Sequence, residues 1–103
     1  MTWPLTPQDV VQATATVFDV PRRWLFLDRK PARLSLFVDV AQLLLEETGM
    51  SRCESAEFLC RDRGAKTLDG RPADPDFVRV LSVVREVAES IAERRRLAFV
   101  RAS

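Results

Sequence analysis

Apolar residues recur every three or four positions along most of the chain, and this spacing is typical of one face of an α-helix. The densest pattern lies between Leu34 and Leu59, where an apolar segment is followed by a Gly-Met pair and a second, shorter segment. The apolar face of the first segment consists of Leu36, Val40, Leu43 and Leu44. A face of this width predicts a helix at the centre of a small helical domain.

Capping residues divide this pattern into separate helices. Thr6 is the expected N-cap of a first helix, with Pro7 at its first position. Gly49 suits the left-handed conformation that ends many helices, so it is expected to close the central helix. Ser51 and Glu54 have the spacing of a capping box that opens the next one. The predicted helices span residues 7–18, 21–26, 35–48, 51–61 and 75–95.

The fifth predicted helix has the most regular spacing. Its apolar stripe consists of Phe77, Val80, Leu81, Val84, Val87, Ala88 and Ile91. Val78 and Val83 fall outside the stripe, so we expect both to be exposed. The tail, residues 97–103, is expected to fray as a chain terminus. Five helices without a strand pattern predict an all-α fold in which residues 1–103 form a single domain.

Length and charge limit the class of protein. A chain of 103 residues that is 47% hydrophobic and 30% charged is typical of one soluble globular domain. The net charge of +1 provides no strong overall attraction for nucleic acid or membrane. The first residues lack the features of a signal peptide, and no apolar run approaches the ~20 residues of a membrane span. We therefore expect a cytoplasmic protein that does not associate with membranes.

The residues that could support catalysis or metal binding are few. Cys53 and Cys60 lie on one predicted helix, about 10 Å apart along its axis, which is too far for a disulfide. We expect both to be reduced and largely buried. The chain has no His, which removes the commonest general base and, with only two cysteines, argues against a zinc site. Gly64 and Gly70 are isolated and do not form a phosphate-binding loop. The sequence predicts no enzyme, no metal and no cofactor.

The order of several short motifs points to a known family. They are Val10-Val11-Gln12, Phe18-Asp19-Val20, Trp24-Leu25, the basic segment Arg29-Lys30-Pro31-Ala32-Arg33, and Val40-Ala41-Gln42-Leu43-Leu44 with Glu47-Thr48. This layout resembles the C-terminal DNA-binding domain of the bacterial replication initiator DnaA over most of the chain, about residues 7–91. The resemblance implies a Trp-repressor-like fold that contains a helix-turn-helix. It also implies that Arg29, Lys30 and Arg33 contact DNA phosphates, because the corresponding basic loop of the family approaches the DNA backbone.

The recognition motif of that family, Gly-Arg-Asp-His-Thr-Thr-Val, is not present in this chain. Its nearest counterpart is Arg61-Asp62-Arg63 followed by Lys66, so Arg61, Arg63 and Lys66 are further candidates for DNA contact. If the start of the fifth helix enters the major groove instead, Arg79 is the residue that can donate to a guanine edge.

Two functions follow from these expectations. The first is a non-enzymatic module that binds or associates with double-stranded DNA in replication or regulation. The alternative is a DnaA-like scaffold that has lost DNA readout and acts in protein–protein interaction, or in self-association through the fifth helix. Trp24 likewise has two interpretations. It is either a core anchor or a stacking platform for single-stranded nucleic acid beside Arg22 and Arg23.

Overall fold

The computed structural model describes residues 5–27, 34–61 and 73–102. The described chain contains α1 (Pro7–Phe18), a short 3-10 helix (Arg22–Phe26), α2 (Ser35–Glu47), α3 (Arg52–Phe58) and α4 (Pro75–Ala102). It contains no strand, which confirms the all-α class. The second of the five predicted helices forms a 3-10 helix rather than an α-helix, since a segment this short favours the tighter winding. The Trp-repressor-like arrangement stays a prediction.

The helix α1 has the predicted bounds and a reciprocal cap at its start. The Asp9 backbone N–H donates to Oγ1 of Thr6 at 3.3 Å, and the Thr6 N–H donates to Oδ2 of Asp9 at 3.0 Å. The Asp9 carboxylate is buried, and Arg95 of α4 reaches it at 2.9 Å. One side chain therefore both caps α1 and ties it to α4.

Replacing Asp9 should separate these two roles. We expect Asp9→Ala to lower the free energy of unfolding by about 1–2 kcal/mol, because the bond that its carboxylate accepts from the Thr6 N–H and the ion pair with Arg95 are both lost. The bond from the residue 9 backbone N–H to the Thr6 hydroxyl remains. Asp9→Asn keeps an oxygen that can accept from Thr6, so it should cost less than Asp9→Ala. Arg95→Ala leaves the buried carboxylate without its cation and should cost more than Asp9→Asn. Urea denaturation of the three variants measures this. Equal losses for Asp9→Ala and Asp9→Asn would mean that the bond from the Thr6 N–H to the side chain of residue 9 contributes nothing.

The helix α2 lies at the centre of the fold, where it contacts α1, α3 and α4. Its buried apolar side chains are Val38, Val40, Ala41, Leu44 and Leu45. The predicted face was only partly correct. Leu36 and Leu43 lie one above the other on the helix and are half-buried, whereas polar Asp39 and Gln42 are buried. The helix is thus enclosed on most sides.

The helix α3 ends earlier than predicted because Cys60 adopts a left-handed conformation, with φ 55°. The Arg61 N–H then donates back to the Ala56 carbonyl at 2.8 Å, which closes the helix end. Both cysteines are free and exposed, so the prediction that they are buried was wrong. The buried side of α3 carries Ser55 and Ala56 followed by Leu59, and Cys53 points away from it. The other predicted boundary signals are confirmed: Gly49 has φ 110°, and the Ser51 capping box forms.

The helix α4 continues to Ala102, which corrects both the predicted end at residue 95 and the frayed tail over residues 97–102. No Gly or Pro follows the basic Arg94–Arg96 cluster, so nothing in this segment stops the helix. A helix of this length extends for about 42 Å, close to the 44 Å long dimension of the molecule. The helix α4 packs on α1 and α2 through buried side chains that extend from Phe77 to Ala92, whereas the side chains from Glu93 to Ala98 are exposed. Among these exposed side chains, Arg95 reaches Asp9 of α1.

Candidate functional site

A groove lies where α1, the 3-10 helix and α2 meet. It has a volume of about 310 Å³ and is lined by Phe18, Asp19, Val20, Trp24, Leu34 and Phe37. Phe18 and Phe37 stack with ring centroids 3.3 Å apart, which joins α1 to α2 at its floor. Trp24 is half-buried and packs on the core while it lines the groove. The interpretation of Trp24 as a core anchor therefore fits its position.

The local sequence explains why two arginines next to the groove residue Trp24 are exposed. Asp19 closes α1 in a left-handed conformation, with φ 54°, and Pro21 then starts the 3-10 helix. Leu25 is fully buried and anchors that helix. Arg22 and Arg23 precede the anchor and remain exposed. Neither forms an ion pair within the part of the chain that the structure describes.

In the sequence, the basic segment lies between the 3-10 helix and α2. Arg29, Lys30 and Arg33 lie outside the described residues, but the chain that carries them connects Leu27 to the groove residue Leu34. From residue 19 to residue 33 the chain has five basic and two acidic residues. This part of the sequence therefore carries a net excess of three positive charges between the groove residues Asp19 and Leu34.

Arg61 is positioned differently from the expected DNA contact. Its side chain is only 13% exposed, and Nη1 lies 2.7 Å from Oδ1 of the fully buried Asp39. The same nitrogen donates to Oε1 of Gln42 at 2.6 Å. Arg61 therefore joins the end of α3 to the interior of α2, and it reaches a polar cluster that a DNA phosphate cannot approach.

Arg79 is the other DNA-contact candidate among the described residues. Arg79 is exposed at the start of α4 and is paired with Asp76 at 3.1 Å. Arg63 and Lys66 lie outside the described residues. Other arginines also have acidic partners: Arg52 with Glu46, Arg85 with Glu47, Arg95 with Asp9, and Arg96 with Glu93. The sequence shows adjacent arginines at positions 22 and 23, but only the three-dimensional pairing distinguishes them from this larger set.

A second groove lies between α1 and α4. It has a volume of about 430 Å³ and is lined by Gln12, Thr16, Val87, Ser90, Ile91 and Arg94. Val83 and Leu97, each 43% exposed, lie on α4 beyond the two ends of this groove. Val78 is also exposed, as predicted for both valines outside the main stripe.

Within the described ranges, no group of three or more Cys, Asp or Glu side chains could hold a metal ion. No helix there has the length and apolar character needed to cross a membrane. Comparisons of the chain with protein-family models, curated proteins and solved structures find no match.

Proposed function

We propose that this protein is a DNA-associated module that contacts the phosphate backbone through Arg22, Arg23 and the basic segment that follows them. The observation that carries this proposal is the exposure of Arg22 and Arg23 without ion-pair partners in the described chain, beside the groove that Trp24 lines. A cation with no partner binds a phosphate without first breaking a salt bridge. Its binding also releases counterions from the DNA, which favours association at low salt.

The proposed mode of binding is contact with the backbone rather than readout of bases. Arg61 belongs to the segment that is the nearest counterpart to the recognition motif. Its side chain contacts Asp39 and Gln42 in the interior. Arg79 can reach a guanine edge only in competition with Asp76. Duplexes of unrelated sequence should therefore bind with similar affinity, since phosphate contacts position a protein but do not specify sequence.

We expect Arg22→Ala with Arg23→Ala to weaken binding to duplex DNA and to lower the salt slope of log K by about two, because two phosphate contacts are removed. Fluorescence anisotropy with a labelled duplex at several salt concentrations measures this slope. The matched control is Arg52→Ala with Arg96→Ala, which removes the same charge from residues that are already paired. The control should change the slope by less than one.

Two results would overturn the proposal. The first is no detectable binding of the wild-type chain to any duplex at low salt. The second is an equal loss of affinity in both double variants, since this would show a response to net charge rather than to one surface. All four arginines are on the surface, and circular dichroism confirms that each variant remains folded before binding is compared.

The second candidate function is protein–protein interaction, and the apolar surface of α4 favours it. Exposed apolar side chains are usually scattered singly over a protein surface, and such residues need no binding partner. Here Val83 and Leu97 occur on one helix, with a groove between them.

A further inference from the structure

One side of α4 carries a row of residues of which only Val87 packs on the core. The row consists of Val83, Val87, Ser90, Arg94 and Leu97. Their alternating spacing of four and three is the repeat by which one helix packs along another. Val83 and Leu97 at its ends are exposed, and the three residues between them line the groove beside α1. This surface has the shape and the apolar ends that a partner helix requires.

We propose that this side of α4 binds the same side of α4 in a second copy of the chain, with the two helices antiparallel and the two-fold axis at Ser90. In such a symmetric interface, residue i contacts residue j and residue j contacts residue i. An axis at Ser90 sets Val83 opposite Leu97 of the second copy, and this apolar contact occurs twice. The small Ser90 side chains meet at the axis, where they allow the two helices to approach closely.

Charge selects the antiparallel arrangement. The same axis sets Glu86 opposite Arg94 of the second copy. Both residues are exposed, and neither forms an ion pair with any residue that the structure describes. A parallel pair in register would instead bring Arg94 against Arg94 and Glu86 against Glu86, and like charges in an interface cost several kcal/mol.

The register has one unfavourable contact, since it sets the apolar Val87 opposite Glu93 of the second copy. Glu93 is exposed and already paired with Arg96 at 2.9 Å, which offsets part of this cost. Elsewhere the arrangement covers the segment of α4 beyond Glu93 with the first half of the second helix, and it closes the open groove beside α1. The dimer thus buries the two largest exposed apolar side chains of this row.

The test exchanges the two opposing charges in the full chain, without DNA. Sedimentation equilibrium should give a dimer for the wild type. Glu86→Arg alone, and Arg94→Glu alone, should each weaken the dimer by about tenfold or more, because each places like charges opposite one another. The double variant with both changes restores opposite charges and should recover a dimer close to wild-type strength. The three variants change only the exposed residues Glu86 and Arg94, and circular dichroism checks that helix content is unchanged.

A cross-linking experiment locates the axis independently. In a background with Cys53→Ser and Cys60→Ser, Ser90→Cys should give a disulfide-linked dimer on mild oxidation. Ser82→Cys, an exposed position on another side of α4, should not. A wild-type chain that is monomeric at all concentrations, a double variant that fails to recover the dimer, or equal cross-linking at both positions would overturn the proposal. None of these results bears on DNA association, which has its own variants and its own readout.

Discussion

Arg61→Met is expected to lower the free energy of unfolding by about 3–5 kcal/mol, the cost of removing one partner from a buried ion pair. The Asp39 carboxylate is fully buried, and Nη1 of Arg61 lies 2.7 Å from it. Gln42 loses the donor at 2.6 Å in the same step. Met fills a similar volume without charge, so the loss reports the polar cluster rather than a cavity. Urea denaturation followed by circular dichroism measures it.

Two further variants test whether this loss of stability comes from the buried ion pair between Asp39 and Arg61. Asp39→Leu combined with Arg61→Met removes both charges, and it should recover much of the loss because an ion pair in the interior gains little beyond its desolvation cost. Arg52→Met breaks a partly exposed pair with Glu46 and should cost no more than about 1 kcal/mol. If Arg61→Met costs no more than Arg52→Met, the Asp39 cluster does not support the fold.

Arg61 shows why the candidate site could be predicted only in part. Basic residues are visible in the sequence, but their acidic partners lie on other helices and leave no local pattern. Asp39 sits in an apolar helix, and nothing in its neighbourhood indicates that Arg61 binds it after the α3 turn. The exposed Arg22 and Arg23 and the paired Arg61 look alike until the fold brings carboxylates to some of them.

Local signals account for the part of the fold that was predicted. The capping boxes at Thr6 and Ser51 form between residues three positions apart, and the end of α2 depends on Gly49 alone. Each of these signals is therefore visible in a short stretch of sequence. The end of α4 has no such signal. The basic cluster Arg94–Arg96 suits a helix end, but Arg95 binds Asp9 and Arg96 binds Glu93 within a helix that continues.

The ion pairs also separate the described arginines into those with an acidic partner and those without one. Those with acidic partners cap, brace or join helices: Arg52, Arg61, Arg79, Arg85, Arg95 and Arg96. Arg22, Arg23 and Arg94 have no such partner within the described chain. The first two lie beside the 3-10 helix, and the third lies on the outer row of α4. Each proposed interaction therefore uses a cation that the fold itself does not require.

Leu44→Ala tests the orientation of α2, on which the packing of the whole domain depends. Leu44 is fully buried, and α2 contacts three other helices, so we expect a loss of about 2–5 kcal/mol with a cavity left behind. The loss should appear as a lower urea midpoint with an unchanged m value, since the surface exposed on unfolding is nearly the same.

Leu43→Ala is the matched control, because it is the same chemical change one position earlier on the same helix. Leu43 is half-buried, and part of its surface is already in water, so its loss should be below about 2 kcal/mol. The apolar pattern alone gives Leu43 and Leu44 equal places on one face, whereas the structure buries Leu44 fully and leaves Leu43 half-buried. A greater loss for Leu43→Ala than for Leu44→Ala would mean that α2 is rotated from the position described, and that Asp39 and Arg61 do not meet in the interior.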